Sequence, residues 1–528
     1  MELAQLILAL SEPAAYPFAV RAVAVRQTHI SAVFLAGPFV YKIKKPVELG
    51  FLDFRTLEKR RFFCEQEVRL NSRLAPEVYL GVVPVTRSGA TVKFEGDGEV
   101  VEWAVKMHRL SDDATLENRL EHGAVDAEMV DALSSKIAAF HAQAEAGPRI
   151  ARFGRFDVVA GNARENFEQS IAQIGTALGR GVFERLQALT EQALAEHRGL
   201  IELRAERGVP RDTHGDLRLG HVYFFPERKP PANVVVIDCI EFNERFRFAD
   251  PVADMAFLVM GLKCHARGDL ARMFTDAYFR ASADEEGRAL LPFYISYRAA
   301  VRGKVEGFKS ARDEVPETER AVALGKARGY WLLALGELEQ PARRPCLVLV
   351  GGLPGSGKST LAGDLSARAG FSVIRSDVVR KELAGVSDSN GTQGFQEGLY
   401  TEAWTERTYA ECLRRAERLL FEGQRVAVDA SFREEARRWT FLEMAARLAV
   451  PGVFFLCQAE PSQILARLAN RRGDASDADG SIYLEAARIW QQPGAAVQSK
   501  LRPIDTGSSQ EQSLDQALSA LRKMELCD

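Results

Sequence analysis

The ten residues GGLPGSGKST at positions 351–360 constrain this chain more than any other stretch. They carry the pattern G-x-x-x-x-G-K-[ST] through Gly352, Gly357, Lys358 and Ser359. Glycines let the backbone turn tightly enough for successive N–H groups to point at one anion. The run Cys346–Val350 before the loop is short and wholly apolar, as a strand buried on both faces is. The run STLAGDLSARA after it has helical spacing, which brings a helix N-terminus and its partial positive charge to the same place. Strand, loop and helix in this order predict a nucleoside-triphosphate site. Gly352, Gly355, Ser356, Gly357 and Thr360 would line the phosphates of ATP, with Lys358 on the β- and γ-phosphates and Ser359 on Mg²⁺.

Composition narrows the rest. A length of 528 residues allows about three or four structural domains. The net charge of −3 provides no global basic field, which argues against a nucleic-acid partner. Seven cysteines are scattered without a C-x-x-C pair, as expected of reduced thiols in the cytoplasm rather than a disulfide or zinc framework. LAQLILAL at the N-terminus lacks a basic flank and predicts a short amphipathic helix ended by Pro13. No apolar run is long enough to span a membrane.

Within a first lobe of residues 1–110, residues 20–110 read as β-rich, with strands at Ala32–Leu35, Phe39–Lys44, Val82–Val85, Thr91–Phe94 and Val100–Met107 and one helix at Leu57–Leu74. Residues 111–336 read as mostly helical, broken by short apolar strands at Val222–Phe225 and Val234–Ile237. The proline- and charge-bearing segment 337–345 is the expected linker. Beyond it, in 346–528, apolar strands near 346–350, 371–375, 425–429, 452–457 and 501–505 alternate with helices, which predicts a doubly wound parallel sheet.

The helical region holds a second constellation. His214, Asp216 and His221 in HGDLRLGH follow H-x-D-L-x-x-x-N with His in place of Asn, and the strand in VVVIDCIEF ends at Asp238. One carboxylate can take the proton of an acceptor hydroxyl while another holds the Mg²⁺ that bridges phosphates. HGDLRLGH, IDCIEF and the tail RFADPVADMAFLVM resemble the aminoglycoside phosphotransferase/choline kinase-like family, relatives of the protein kinases, over residues 20–335. The resemblance implies an α+β, protein-kinase-like bilobal domain with Asp216 as base, Asp238 as metal ligand and Asp254 bracing the catalytic loop. It also implies a strand lysine for the α/β-phosphates. Lys42 and Lys44 share one strand face by period two, so either fits, with Lys42 favoured. Its acidic partner would be Glu67 or Glu65, and the adenine hinge would begin near Met107. Two departures stand out: no glycine-rich loop precedes Gly37, and His221 is a poor ligand for a hard cation. His221 would then contact phosphate, or one metal would be lost.

The segment 345–525 resembles the zeta-toxin, polynucleotide-kinase and gluconate-kinase-like group of small P-loop kinases, through the loop and through SDVVR. That resemblance implies Asp377 as activator of the acceptor hydroxyl and Arg380 as its anchor. A helix N-cap is the bland role for Asp377. Asp429 ends the strand in RVAVDASF and would reach Mg²⁺; a strand-end cap is its alternative. Arg467, Arg471 and Arg472 share a helix end and would close over the transferring phosphoryl, or form a solvated face. Trp404, Tyr409 and Trp439 are acceptor-lining or core aromatics. Order and pairing of modules resemble bacterial fusions of an aminoglycoside phosphotransferase-like domain with an α/β P-loop kinase domain. The expectation is ATP-dependent transfer to a small, sugar- or nucleoside-like hydroxyl acceptor. The alternative makes the N-terminal module a pseudokinase that regulates the P-loop half.

Overall fold

The computed structural model describes residues 2–50, 52–385, 401–470 and 480–528. The chain divides into two compact units, residues 1–161 with 197–294, and residues 162–196 with 295–528. This differs from a division at 337–345. That segment continues a helix to Leu338, turns through Pro341–Arg343 and buries Glu339.

The first unit is built on a six-stranded antiparallel sheet, in the spatial order Val23–Gln27, Ser31–Ala36, Phe39–Lys44, Glu99–His108, Tyr79–Ser88, Thr91–Phe94. The edge strand Val23–Gln27 was not legible in the pattern, because its half-exposed face leaves a weak alternation. In place of a glycine-rich tip, Thr28 closes this hairpin: its Oγ1 accepts from Ser31 N at 3.0 Å and Ile30 N at 3.3 Å. One sheet face buries Phe34, Tyr41 and Phe94 against Leu6 and Leu10 of the N-terminal helix Leu3–Leu10. The other packs Val105 and Met107 with Cys64 of the helix Leu57–Asn71, which Thr56 caps through Lys59 N. Arg60 of that helix and Glu102 of the sheet form a buried pair at 2.8 Å. The helix Pro251–Cys264, started by Asp250 and a proline in its first turn, is buried nearly all round.

The second unit contains a five-stranded sheet in the order Ser372–Arg375, Arg425–Asp429, Cys346–Gly351, Gly452–Gln458, Leu501–Asp505, with every pair parallel. The central strand is buried along its whole length, which explains its unbroken apolar run. Its even-numbered residues Cys346, Val348 and Val350 face Leu361 and Leu365 of the helix Lys358–Ala369 and Leu514 of the helix Gln510–Arg522. Helices Glu402–Phe421 and Glu435–Arg447 also pack on the sheet, where Tyr409, Phe432, Phe441 and Phe454 meet edge to face.

Residues 162–196 and 295–345 belong to this unit through specific contacts. Arg185 donates to Gly423 O at 2.7 Å and pairs with Glu339, and Glu422 accepts from Gly181 N at 3.1 Å. Leu335 and Val182 close on Gly423 so tightly that a Cβ there would lie 2.9 Å and 3.1 Å from them. Among the described residues no helix is long and apolar enough to cross a membrane.

Candidate active sites

In the second unit the loop between the strand Cys346–Gly351 and the helix Lys358–Ala369 opens on a cavity of about 630 Å³. Gly352, Gly355, Gly357, Lys358, Ser359 and Thr360 all line it. Gly352 sits at φ 144°, and a Cβ there would lie 2.6 Å from Cys457 O and 2.7 Å from Ser356 Oγ, so only glycine fits this cradle. Ser356 itself is buried, its carbonyl held by Thr506 Oγ1 at 2.7 Å. Lys358 Nζ donates to Leu353 O across the loop at 2.8 Å.

Ser359 Oγ donates to Asp429 Oδ2 at 2.7 Å. A hydroxyl and a carboxylate side by side at the ends of the P-loop and a neighbouring strand are hard oxygen donors, a set that fits Mg²⁺. Asp377 lines the same cavity from the helix Ser376–Ala384. The cap of that helix is Arg375, so Asp377 lies inside the first turn and is not the N-cap. Burial, then the nearby Asp429 carboxylate, pushes the Asp377 carboxyl above its ordinary value. Arg380 is buried one turn further and donates to Thr405 Oγ1 at 3.3 Å. Arg467 borders the cavity and donates to Thr506 O at 2.6 Å. Arg471 and Arg472 lie outside the described residues. Tyr409 lines the cavity, whereas Trp439 is an exposed residue of the helix Glu435–Arg447.

Sequence reasoning missed Arg433, Glu434 and Arg437, which also line the cavity. Their signal was positional rather than motif-like: they follow the carboxyl end of a parallel strand, where ligands of doubly wound sheets bind.

The first unit assembles a different cluster. Lys42 Nζ lies 2.8 Å from Glu67 Oε1 and 2.9 Å from Asp238 Oδ1. Lys44 Nζ lies 2.8 Å from Glu67 Oε2 and also pairs with Glu241. The two lysines therefore share Glu67, one oxygen each, and only Lys42 reaches Asp238. Glu65 points outward and pairs with Arg61. Burial works against the charge on Lys42, but Asp238 and Glu67 outweigh it and hold the ammonium well above its ordinary value. Burial likewise opposes ionisation of Glu67, and Lys42 and Lys44 hold the carboxyl below its usual range. Asp238 adopts a left-handed φ of 65°, a strained conformation of a kind that clusters at functional sites, and donates its N–H to Tyr79 Oη at 3.2 Å. Met107 lies within the strand Glu99–His108, opposite Val40 and Tyr79, just before the sheet ends.

The HGDLRLGH loop is braced from below. Asp254 accepts from His214 N at 3.0 Å, Gly215 N at 2.8 Å and His141 Nε2 at 3.1 Å. Gly215 has φ 84°, and a Cβ there would lie 2.9 Å from Phe246 O. On the upper side Arg218 Nε donates to Asp216 Oδ2 at 2.9 Å, and Arg218 Nη2 donates to His221 Nε2 at 2.6 Å. Arginine can only donate, so Nε2 is an acceptor and Nδ1–H donates to Asp216 O at 3.0 Å. Burial, then Arg218, pushes the His221 imidazole down to about 4. With both ring nitrogens engaged and a guanidinium against it, His221 does not fit a metal.

The two units thus define a chain that joins a protein-kinase-like bilobal fold to an α/β P-loop kinase fold. A family model described as an AAA domain matches residues 347–489. Over 494 residues, 93% of this chain and 94% of theirs, the sequence is 33% identical to the uncharacterized proteins Rv2004c of Mycobacterium tuberculosis (strain H37Rv) and Mb2027c of Mycobacterium bovis. The chain belongs to the same family as these mycobacterial proteins. Among solved structures, it is similar to aminoglycoside 2′-phosphotransferase-IIIa in its GDP complex, at 15% identity over 60% of this chain and 94% of that one (TM-score 0.38). It is also similar to a gluconokinase from Sinorhizobium meliloti 1021, at 17% identity over 34% of this chain and 93% of that one (TM-score 0.26).

Proposed function

We propose that this protein is an ATP-dependent phosphotransferase with two kinase modules, of which the P-loop module moves the γ-phosphoryl group to a hydroxyl of a small, sugar- or nucleoside-like metabolite in the cytoplasm. The observation that carries the reading is convergence: Lys358, the Ser359–Asp429 pair and Asp377 all border one cavity large enough for a donor and an acceptor. The P-loop N–H groups and Lys358 bind and orient the phosphates. Ser359 and Asp429 would hold Mg²⁺, which supplies charge neutralisation when bound. Asp377, with its raised carboxyl, accepts the proton of the acceptor hydroxyl as that oxygen forms its bond to the γ-phosphorus and the bond to the β-phosphate oxygen breaks. Arg467 balances charge at the phosphoryl group, with Arg471 in the same role from the sequence pattern.

For the first unit a second reading has a specific observation behind it. The proposed base, Asp216, is tied to Arg218, and the residue in the Asn position is tied to both. These bonds favour a binding module that regulates its neighbour over an independent kinase in which Lys42 orients phosphates and Asp238 holds metal.

The test is transfer from γ-labelled ATP into a metabolite extract by the full chain, with Lys358→Ala and Asp216→Asn made separately. Lys358→Ala is expected to abolish transfer and Asp216→Asn to leave most of it. Full transfer by Lys358→Ala would sink the P-loop assignment. Loss of transfer in Asp216→Asn alone would make the first unit the catalytic one.

A further inference from the structure

A chain of hydrogen bonds beside the P-loop has a fixed direction. Tyr409, on the helix Glu402–Phe421, is buried at the cavity wall. Its phenol oxygen accepts from Phe432 N at 3.0 Å and lies 3.2 Å from Ser431 Oγ. Burial pushes the phenol above its ordinary value, so it keeps its proton. Among the described residues that proton has one acceptor, Ser431 Oγ, and a buried hydroxyl left without an acceptor would cost stability. Tyr409 therefore donates to Ser431. The serine oxygen accepts from the interior, and its own O–H is turned toward the cavity, which Ser431 lines as an exposed residue. In such a relay each bond polarises the next, which strengthens the last donor.

The relay is held in place from several sides. Phe432 has φ 46°, costly for an aromatic residue and maintained only where surrounding bonds enforce it. Arg438, with no exposed surface, donates to Phe432 O at 2.6 Å and Arg433 O at 2.9 Å. Ser431 O accepts from Gly352 N at 3.1 Å, which ties the serine to the first glycine of the P-loop. Ser431 also stands two residues beyond Asp429, whose carboxylate meets Ser359. The strand order fixes which flank of the site this is. Asp377 follows the strand Ser372–Arg375 and Ser431 follows the strand Arg425–Asp429, both on one side of the P-loop strand. Arg467 and Thr506 follow the strands Gly452–Gln458 and Leu501–Asp505 on the other side. The Ser431 hydroxyl thus shares the flank of Asp377, from which the acceptor hydroxyl is deprotonated in the proposed reaction.

We propose that Ser431 is an acceptor-binding residue of the P-loop module, its O–H directed by Tyr409 at an oxygen of the acceptor other than the hydroxyl that Asp377 deprotonates. The acceptor is then a polyoxygenated compound, with a second hydroxyl, ether or carbonyl oxygen near the reacting one. A simple alcohol would leave this donor unused. Tyr409 is a positioning residue that acts through Ser431. The inference rests on the reading of this module as a phosphotransferase and deepens it.

The test is the initial rate of label transfer from γ-labelled ATP by the full chain, measured against dilutions of one metabolite extract and, separately, against ATP. Ser431→Ala is expected to raise the half-saturating extract concentration about two- to tenfold, the usual contribution of one neutral hydrogen bond, while half-saturating ATP stays within about twofold. Ser431→Thr, which keeps the hydroxyl, should stay within about twofold on both. Tyr409→Phe should raise the extract value in the wild type and leave it unchanged in Ser431→Ala, because it acts through that hydroxyl. A rise below about twofold in Ser431→Ala, or one matched by ATP or by Ser431→Thr, overturns the proposal. An equal effect of Tyr409→Phe in both backgrounds overturns the relay. If Tyr409→Phe does not fold, Ser431→Ala and Ser431→Thr decide alone. A wild type that transfers no label overturns the phosphotransferase reading and this inference with it, whereas transfer with unaltered Ser431→Ala kinetics overturns this inference alone.

Discussion

The P-loop cavity and the strand-lysine cluster use the same residue types to opposite ends. Around the cavity, Lys358 donates to a backbone carbonyl, burial and a neighbouring carboxylate disfavour the charge on Asp377, and Arg433 and Arg437 share Glu434. In the first unit charge meets charge: Lys42 with Glu67 and Asp238, Lys44 with Glu67 and Glu241, Asp216 with Arg218. In the proposed reaction the first arrangement offers donors to phosphate oxygens and a carboxylate that takes up the acceptor's proton. The second is already neutralised internally, so a ligand entering it must replace existing bonds rather than satisfy waiting ones. Under the proposed function, the contrast is between a site of turnover and a site of fixed geometry.

The largest expected effect lies in the cavity. Asp377→Asn should lower transfer by about 10²- to 10⁴-fold, the usual contribution of a positioned base. In the wild type, transfer should fall as pH drops through the raised value of this carboxyl. Because that value is raised, the folded state keeps a proton that the unfolded chain has already released, and the group's contribution to stability is lost as pH rises from its ordinary value of 3.8 through the raised one. Asp377→Asn should therefore melt slightly higher at neutral pH than wild type, even though it is inactive. A lower melting temperature would break the contrast.

Next is Glu241→Ala, which leaves the buried Lys44 with half its partners. Removing one member of a buried ion pair costs about 3 kcal/mol, read as a lower urea midpoint with the slope unchanged. A loss under about 1 kcal/mol, well short of that range, would show that the cluster tolerates unmatched charge.

Smaller is Arg218→Ala. His221 held near 4 stays neutral in the folded state, so its contribution is present above the ordinary 6.5 and is lost as pH falls from there toward 4. Removing Arg218 should raise the His221 titration followed by NMR, though burial keeps it below 6.5. No movement would mean that Arg218 does not govern this loop. The smallest effect calibrates the rest: Arg26–Asp112 is an ion pair with both side chains 61% exposed, and Arg26→Ala should change stability by less than about 0.5 kcal/mol.

Much of this was legible in sequence where a property is local. The P-loop needs its glycines, lysine and serine in one contiguous turn, and the strand before it needs an unbroken apolar run. HGDLRLGH and IDCIEF announced Asp216 and Asp238 in the same way. Helix periodicity left Glu65 and Glu67 open, and packing of the helix Leu57–Asn71 turned Glu67 inward. What stayed hidden depends on backbone geometry or on partner choice. Arg433 lines the cavity directly after Phe432, whose left-handed conformation no propensity foretells. Glu241 matters because Lys44 is buried beside it. The helical residues 162–196 carry apolar stripes that do not say which sheet they will cover.

That last feature bears on how this protein can be taken apart. The recurring domain is recognisable at 347–489, but the compact unit that contains it reaches back to residue 162. A fragment cut at the start of the P-loop strand would strip away Arg185, Glu339, Val182 and Leu335, baring the seam around Gly423. The matched family segment and the compact unit have different borders here. An excised P-loop half that aggregates would therefore report on its missing helices, not on its chemistry.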